Sequence, residues 1–261
     1  MKIYDCFMFN NEDLVLKIRL NYLYNHIYKF IIVESKYDHQ GKIKSNFFNI
    51  EKYKKFNNKI EYLFIDKFPK NLSNWQRENF QRNFIENAIQ DINDDDYVMI
   101  SDVDEIPNIE KFKKNPRGKY SVFEQKNFFY KLNLANKTIP KWYGSKICKK
   151  KYLKNPQWLR NQKIKNFSIF NFYRIKWNII KDGGWHFSFL MKPKEIQRKI
   201  KSFAHSEFNK EEFTNLDRIT YRLNNRLDIF DRKQFYDKVK LDDDFPQYIK
   251  ENLKEFKEWL L

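Results

Sequence analysis

Asp102 and Asp104, within the run Y-V-M-I-S-D-V-D-E-I-P over residues 97–107, are the side chains of this chain best spaced for chemistry. The apolar stretch 97–100 reads as a buried strand, and residues i and i+2 of an extended chain point to the same side. The two carboxylates therefore project together from the strand's carboxyl end, while Val103 turns back into the fold. Carboxylates held so close repel each other unless a cation sits between them. Hard oxygen donors suit Mg²⁺ or Mn²⁺, which complete their coordination with substrate phosphate oxygens. In open α/β sheets, ligands bind beyond the carboxyl ends of the strands. The expectation is a metal-bridged phosphate at Asp102 and Asp104. An acidic run after a strand is also an ordinary solvated turn. What favours the metal reading is Pro107, which opens a helix and makes a strand–acidic loop–helix unit.

The elements that would position this unit are legible before it. Residues 2–9, 30–33 and 61–65 read as buried strands separated by helical stretches, the pattern of βαβ units and a parallel sheet. Asn11 is a candidate cap for a helix carrying Leu14, Ile18 and Leu23. Ser73 or Asn74 would cap one long helix whose stripe is Phe80, Phe84, Ile85, Ala88, Ile89 and Ile92. On that helix Glu78 and Arg82 form an i,i+4 pair. Arg77, near its N-terminus, is a candidate for a nucleotide's phosphates, with Arg82 beside it. Residues 119–133 alternate as one long strand or a hairpin arm, 139–152 read as a loop anchored by Trp142 and Tyr143, and 167–174 as a further strand. Gly183-Gly184 permits a tight turn or close approach to a ligand. From Pro193 the pattern turns helical through Ile196, Ile200 and Phe203, and the chain closes on an amphipathic stretch. Two regions are expected: 1–190 as the catalytic α/β domain and 191–261 as a helical extension packed on it.

At 261 residues, 41% hydrophobic and 18% aromatic, the chain can bury a substantial core, and five glycines and seven prolines argue against disorder. No apolar run approaches the ~20 residues that span a bilayer, and the N-terminus is acidic too early for a signal peptide. Cys6 and Cys148 are too few for a disulfide framework. The reading is a cytoplasmic protein. A net charge of +17 fits anionic partners, nucleotide phosphates or a peripheral contact with the inner face of an anionic membrane. The basic residues are spread along the chain, so no specific nucleic acid is expected.

Five stretches, YDCFMFNNEDLVLKIRLNYLY (4–24), FIIVES (30–35), WQRENFQR (75–82), ISDVDEIP (100–107) and GGWHFS (183–188), occur here in one order. With them the chain resembles glycosyltransferase family 17, which includes the bisecting β-1,4-mannosyl-glycoprotein N-acetylglucosaminyltransferases. The resemblance implies a GT-A fold, a mostly parallel central sheet flanked by helices. It also implies a divalent metal, a UDP-sugar donor (UDP-GlcNAc foremost) and an inverting transfer that forms a β-glycosidic bond. Because the chain reads without a membrane anchor or lumenal stem, the expected acceptor is a cell-surface glycan or glycolipid.

That resemblance also implies roles. His186 in GGWHFS would be a third metal ligand after Asp102 and Asp104. Asn10, Asn11 and Glu34 would line the nucleotide pocket, with Arg77, Arg82 and Asp102 toward the donor. Inversion needs a carboxylate base near the acceptor hydroxyl. Asp182, beside the Gly-Gly-Trp-His turn, is the first candidate, followed by Glu207, Glu105 and Glu124. Trp142 and Trp185 are candidates to stack on sugars, and His205 to close the acceptor side. A metal-dependent phosphotransferase or hydrolase is the competing enzyme class. A haloacid-dehalogenase-type phosphatase would carry its DxD after the first strand, which is not the arrangement here. A basic nucleic-acid binder is the competing non-enzyme, and it explains none of the ordered motifs.

Overall fold

The computed structural model describes residues 1–45, 47–164, 175–242 and 244–261; the strand expected over 167–174 lies outside them. The chain runs β1 (Ile3–Met8), α1 (Asp13–Leu23), β2 (Lys29–Ser35), β3 (Ile60–Ile65), α2 (Asn74–Asn83), α3 (Glu86–Ile89), β4 (Tyr97–Asp102), β5 (Glu105–Pro107) and α4 (Ile109–Lys114). It continues with β6 (Tyr120–Phe123), β7 (Gln125–Phe129), β8 (Leu134–Asn136), β9 (Lys141–Trp142), β10 (Lys146–Lys149), α5 (Pro156–Asn161), β11 (Trp177–Ile180) and β12 (Gly184–Ser188). Then follow α6 (Pro193–Ser202), α7 (Glu211–Thr214), α8 (Leu216–Asn224), β13 (Tyr236–Lys238) and α9 (Gln247–Glu251).

A seven-stranded sheet in the order β11-β6-β10-β4-β1-β2-β3 carries the fold. Strands β4, β1, β2 and β3 are mutually parallel, and β10 runs antiparallel between β4 and β6. Alternate residues of each strand face opposite sides. Ile3, Phe7, Phe30, Ile32 and Met99 pack under α1, α4 and the C-terminal segment. Tyr4, Cys6, Ile31, Val33, Val98 and Ile100 pack against α3 and α5. Both faces are covered by helices, so the strands read as continuous apolar runs.

A second sheet, β13-β8-β7-β12-β5 with β9 alongside β7, stands beside the first. The stretch 119–133, expected as one arm, breaks at Glu124 and passes from the first sheet into the second. The acidic run makes the same passage, because β4 ends at Asp102 and β5 begins at Glu105. The stretch 139–152, expected as a loop, supplies β9 and the internal strand β10. The expected single helix over 75–92 is two, since the ladder tightens where Ile85 N–H donates to Arg82 O at 3.3 Å. The segment past residue 190 is not purely helical: β13 extends the second sheet, and Phe245, Ile249 and Phe256 rejoin the first core. Asn11 does not cap α1; it holds a left-handed φ of 66° and Glu12 occupies the cap position. Ser73 caps α2 in a reciprocal capping box with Gln76. No described helix is long and apolar enough to cross a membrane.

Candidate active site

Because β1, β2 and β4 are parallel, their carboxyl ends open on one side. There the segments after them, with Asn10, Asp38 and Asp104 among their residues, wall a cavity of about 660 Å³. That volume lies within the range of small-molecule sites.

Arg19 shapes the acidic turn from beneath. It rises from α1, wholly buried, and its guanidinium takes both oxygens of buried Asp5 at 2.8 and 2.5 Å. Its remaining nitrogen donates to the carbonyls of Asp102, Val103 and Glu105 at 3.2, 3.3 and 2.5 Å. One planar fork thus ties down three carbonyls of the turn, that of Glu105 also accepting the Ser145 hydroxyl at 3.3 Å.

Above that floor the charges alternate. Asp102 meets Arg160 Nη2 at 2.5 Å and Arg82 Nη2 at 3.2 Å. Burial alone would raise its pKa, but Arg160 and then Arg82 outweigh burial and hold the carboxyl well below the usual range. Glu105 is completely buried and takes Arg160 at both oxygens, Trp142 Nε1 at 2.7 Å and the Asp102 amide at 3.0 Å. A Cβ at Gly144 would stand 2.0 Å from the Glu105 carboxylate, so only glycine lets the segment between β9 and β10 approach. Asp104 faces Lys199 Nζ at 3.3 Å, and Lys199 reaches Glu12 at the same distance. Burial would lower the Lys199 pKa, yet Asp104 and Glu12 hold it above the ordinary lysine value.

The decisive juxtaposition lies between Asp104 and His186. Asn127 donates from Nδ2 to Ile139 O at 2.9 Å and turns Oδ1 to His186 Nδ1 at 3.0 Å. The imidazole therefore donates from Nδ1, and Nε2 faces Asp104 Oδ1 across 3.7 Å. Trp142 stacks on the ring at 4.7 Å and holds its plane. A lone pair aimed at a carboxylate needs a proton or a metal cation between. One oxygen and one imidazole nitrogen fit a divalent ion such as Mn²⁺. No group of three or more His, Cys, Asp or Glu converges as a metal site among the described residues. The other ligands would therefore come from substrate oxygens, as hard cations commonly take them.

Residues 1–234 match the profile described as Glycosyltransferase family 17. The chain belongs to glycosyltransferase family 17. As a member it is a glycosyltransferase, an enzyme that binds a sugar donor and an acceptor. No curated protein matches the chain. Among solved structures it is similar to 2-C-methyl-D-erythritol 4-phosphate cytidylyltransferase of Francisella tularensis. That match has 9% identity over 58% of this chain and 74% of the other, with a TM-score of 0.31. A likeness that faint carries no argument about either fold or chemistry.

Within this family 17 chain, Asn10, Arg82, Asp102, Asp104, His186, Trp142 and His205 are brought together on the cavity wall. The other expected residues are not. Asn11 borders a smaller neighbouring pocket of about 130 Å³. Glu34 is buried beneath the wall, where it accepts Lys44 Nζ, Phe48 N–H and Tyr62 O–H. Arg77 turns to the His39 carbonyl and Asn74 and packs on Gly41. Trp185 is core, edge-on to Tyr22 at 5.2 Å.

The four expected bases fall outside the lining as well. Asp182 sits in an exposed turn with φ 47°. Glu207 is exposed and bonded to His205 at 2.7 Å. Glu124 pairs with Lys141 and Tyr143 at 2.9 and 2.7 Å, and Glu105 is locked under Arg160. Sequence reasoning missed Arg19, Arg160, Lys199, Asn127 and Gly144. The signal available lay in Asp5, the partner of Arg19, which is a lone charge inside an apolar strand pattern.

Proposed function

We propose that the protein transfers a sugar from a nucleoside-diphosphate sugar to a glycan or glycolipid acceptor, with a divalent ion held by Asp104 and His186. The observation that carries this reading is the Asp104–His186 pair, fixed in tautomer by Asn127 at the carboxyl edge of the parallel strands. Mn²⁺ or Mg²⁺, when held there, would supply Lewis-acid stabilisation to a departing diphosphate. Asp102 stays ionised between Arg82 and Arg160 and keeps both guanidiniums turned into the cavity. Lys199, between Asp104 and Glu12, places a further cation where leaving-group charge develops. Family resemblance favours UDP-GlcNAc as donor and inversion at the anomeric carbon. Two free, buried cysteines suit a reducing cytoplasm, and the +17 charge suits a peripheral stay at an anionic membrane.

Calorimetric titration with a panel of nucleotide sugars, with and without Mn²⁺, tests the reading. Metal-dependent binding of one of them is expected. If none binds under either condition, the reading fails.

A further inference from the structure

Inversion needs a base within reach of the acceptor hydroxyl. Among the described residues, five carboxylates line the cavity: Glu12, Asp38, Glu78, Asp102 and Asp104. Three are engaged at both oxygens, and a fourth, Asp38, at one oxygen within its own loop. Glu12 takes the Asn10 amide at 2.6 Å and Lys199, while Asp38 caps its own loop through the Lys42 amide at 2.8 Å. Asp102 lies between two arginines, and Asp104 between Lys199 and His186. Glu78 differs. Its Oε1 accepts Arg82 Nη2 at 3.0 Å, and no hydrogen bond from a described residue reaches Oε2.

Arg82 Nη2 also reaches Asp102, so a single guanidinium nitrogen links Glu78 to the acidic turn. One helical turn earlier on the same face stands Trp75, 46% exposed, on the cavity wall and edge-on to His205 at 4.6 Å. A half-exposed indole on a cavity wall offers a flat apolar face to the C–H face of a pyranose. The capping box at Ser73 fixes the first turn of α2, so both side chains ride on a rigid element.

We infer that the face of α2 bearing Trp75 and Glu78 is the acceptor subsite, Trp75 packing on the acceptor sugar and Glu78 serving as the catalytic base. This rests on the transfer reading above. The acceptor O–H proton passes to Glu78 Oε2 as the acceptor oxygen's electron pair forms the bond to the anomeric carbon. The bond from that carbon to the diphosphate oxygen breaks, and its electron pair leaves with the phosphate.

The experiment uses the full chain with Mn²⁺ and the nucleotide-sugar panel. It follows donor binding by calorimetry, hydrolysis to water, and transfer to methyl pyranosides at high millimolar concentration. Glu78→Gln keeps an acceptor for Arg82, so it should bind donor within about twofold of wild type. Its hydrolysis and transfer should both fall by about 10²–10⁴-fold. Azide needs no base; in Glu78→Ala it should restore donor cleavage and yield the glycosyl azide. Saturation-transfer NMR should detect a pyranoside on the wild type and not on Trp75→Ala.

Wild-type turnover in Glu78→Gln overturns the base, as does loss of turnover in Asp38→Asn alone. If no pyranoside is seen on the wild type, the sugar platform is overturned. A wild type that neither binds nor cleaves any nucleotide sugar sinks instead the transfer reading on which the subsite rests.

Discussion

Arg19 and Asp5 form a two-pronged ion pair with both side chains fully buried, and the same guanidinium holds the backbone of the acidic turn. Removing one partner leaves a charge stranded in the core, which costs about 3–5 kcal/mol. Arg19→Leu should therefore lose that much in denaturant unfolding. The double variant Asp5→Asn with Arg19→Met should recover part of the stability and still bind donor poorly, since the carbonyls of Asp102, Val103 and Glu105 lose their donor. Full donor affinity in the double variant would deny Arg19 its role in shaping the turn.

Gly144→Ala tests the seat of Glu105. The carboxylate is pinned by Arg160, Trp142 and the Asp102 amide, so it cannot swing from a methyl group placed 2.0 Å away. Overpacking of this kind costs about 1–3 kcal/mol. Donor affinity should fall with it, because Arg160 follows Glu105. A thermal melt unchanged from wild type would show that the pocket yields.

Asp104→Ala should abolish metal-dependent donor binding while the fold persists, as Lys199 keeps Glu12 as a partner. Asn127→Leu should weaken metal affinity by about 10–100-fold without touching either ligand, through loss of the imposed imidazole tautomer. Both are read by Mn²⁺ titration. Wild-type affinity in Asp104→Ala would end the metal assignment.

Lys146 gives a pH signature. Burial, then the Arg160 charge, bring its pKa down to about 8 from the ordinary 10.5. Between those values the unfolded chain holds a proton that the folded chain has released, so stability contributed at this site rises with pH across that window. At roughly 1.4 kcal/mol per unit the ceiling is about 3 kcal/mol. Unfolding midpoints of wild type and Lys146→Met, compared from pH 7 to about pH 11, should converge or cross as pH rises. A constant gap would refute the shift.

The first sheet was readable because its strands are buried on both faces and appear as apolar runs, with Ser73 and Pro193 marking helix starts. Strand β10 escaped notice because Ile147 and Cys148 are its only apolar residues and lysines flank them. The break at Glu124 has no proline or glycine to announce it. Within the site, Asp102, Asp104 and His186 were legible from spacing and motif, whereas Arg160 lies on a helix of six residues whose sequence says nothing of its destination. Asp182 stands first among the candidate bases for its nearness in sequence to the Gly-Gly turn. That nearness fails because Asp182 lies before β12 while His186 sits within it, so the strand carries them apart.

The passage of the acidic run from one sheet to the other makes its length a fixed dimension of the enzyme. Asp102 closes a strand of the first sheet, while Glu105 pairs with His186 in the second and Trp185 with Ile106. One residue added between Asp102 and Glu105 would slip β5 against β12 and exchange its inward and outward faces. Asp104 would then part from His186 although every side chain of the motif remained. Variation within such a scaffold can enter freely through the loops that ring the cavity, but this joint admits changes of residue type only, never of residue number.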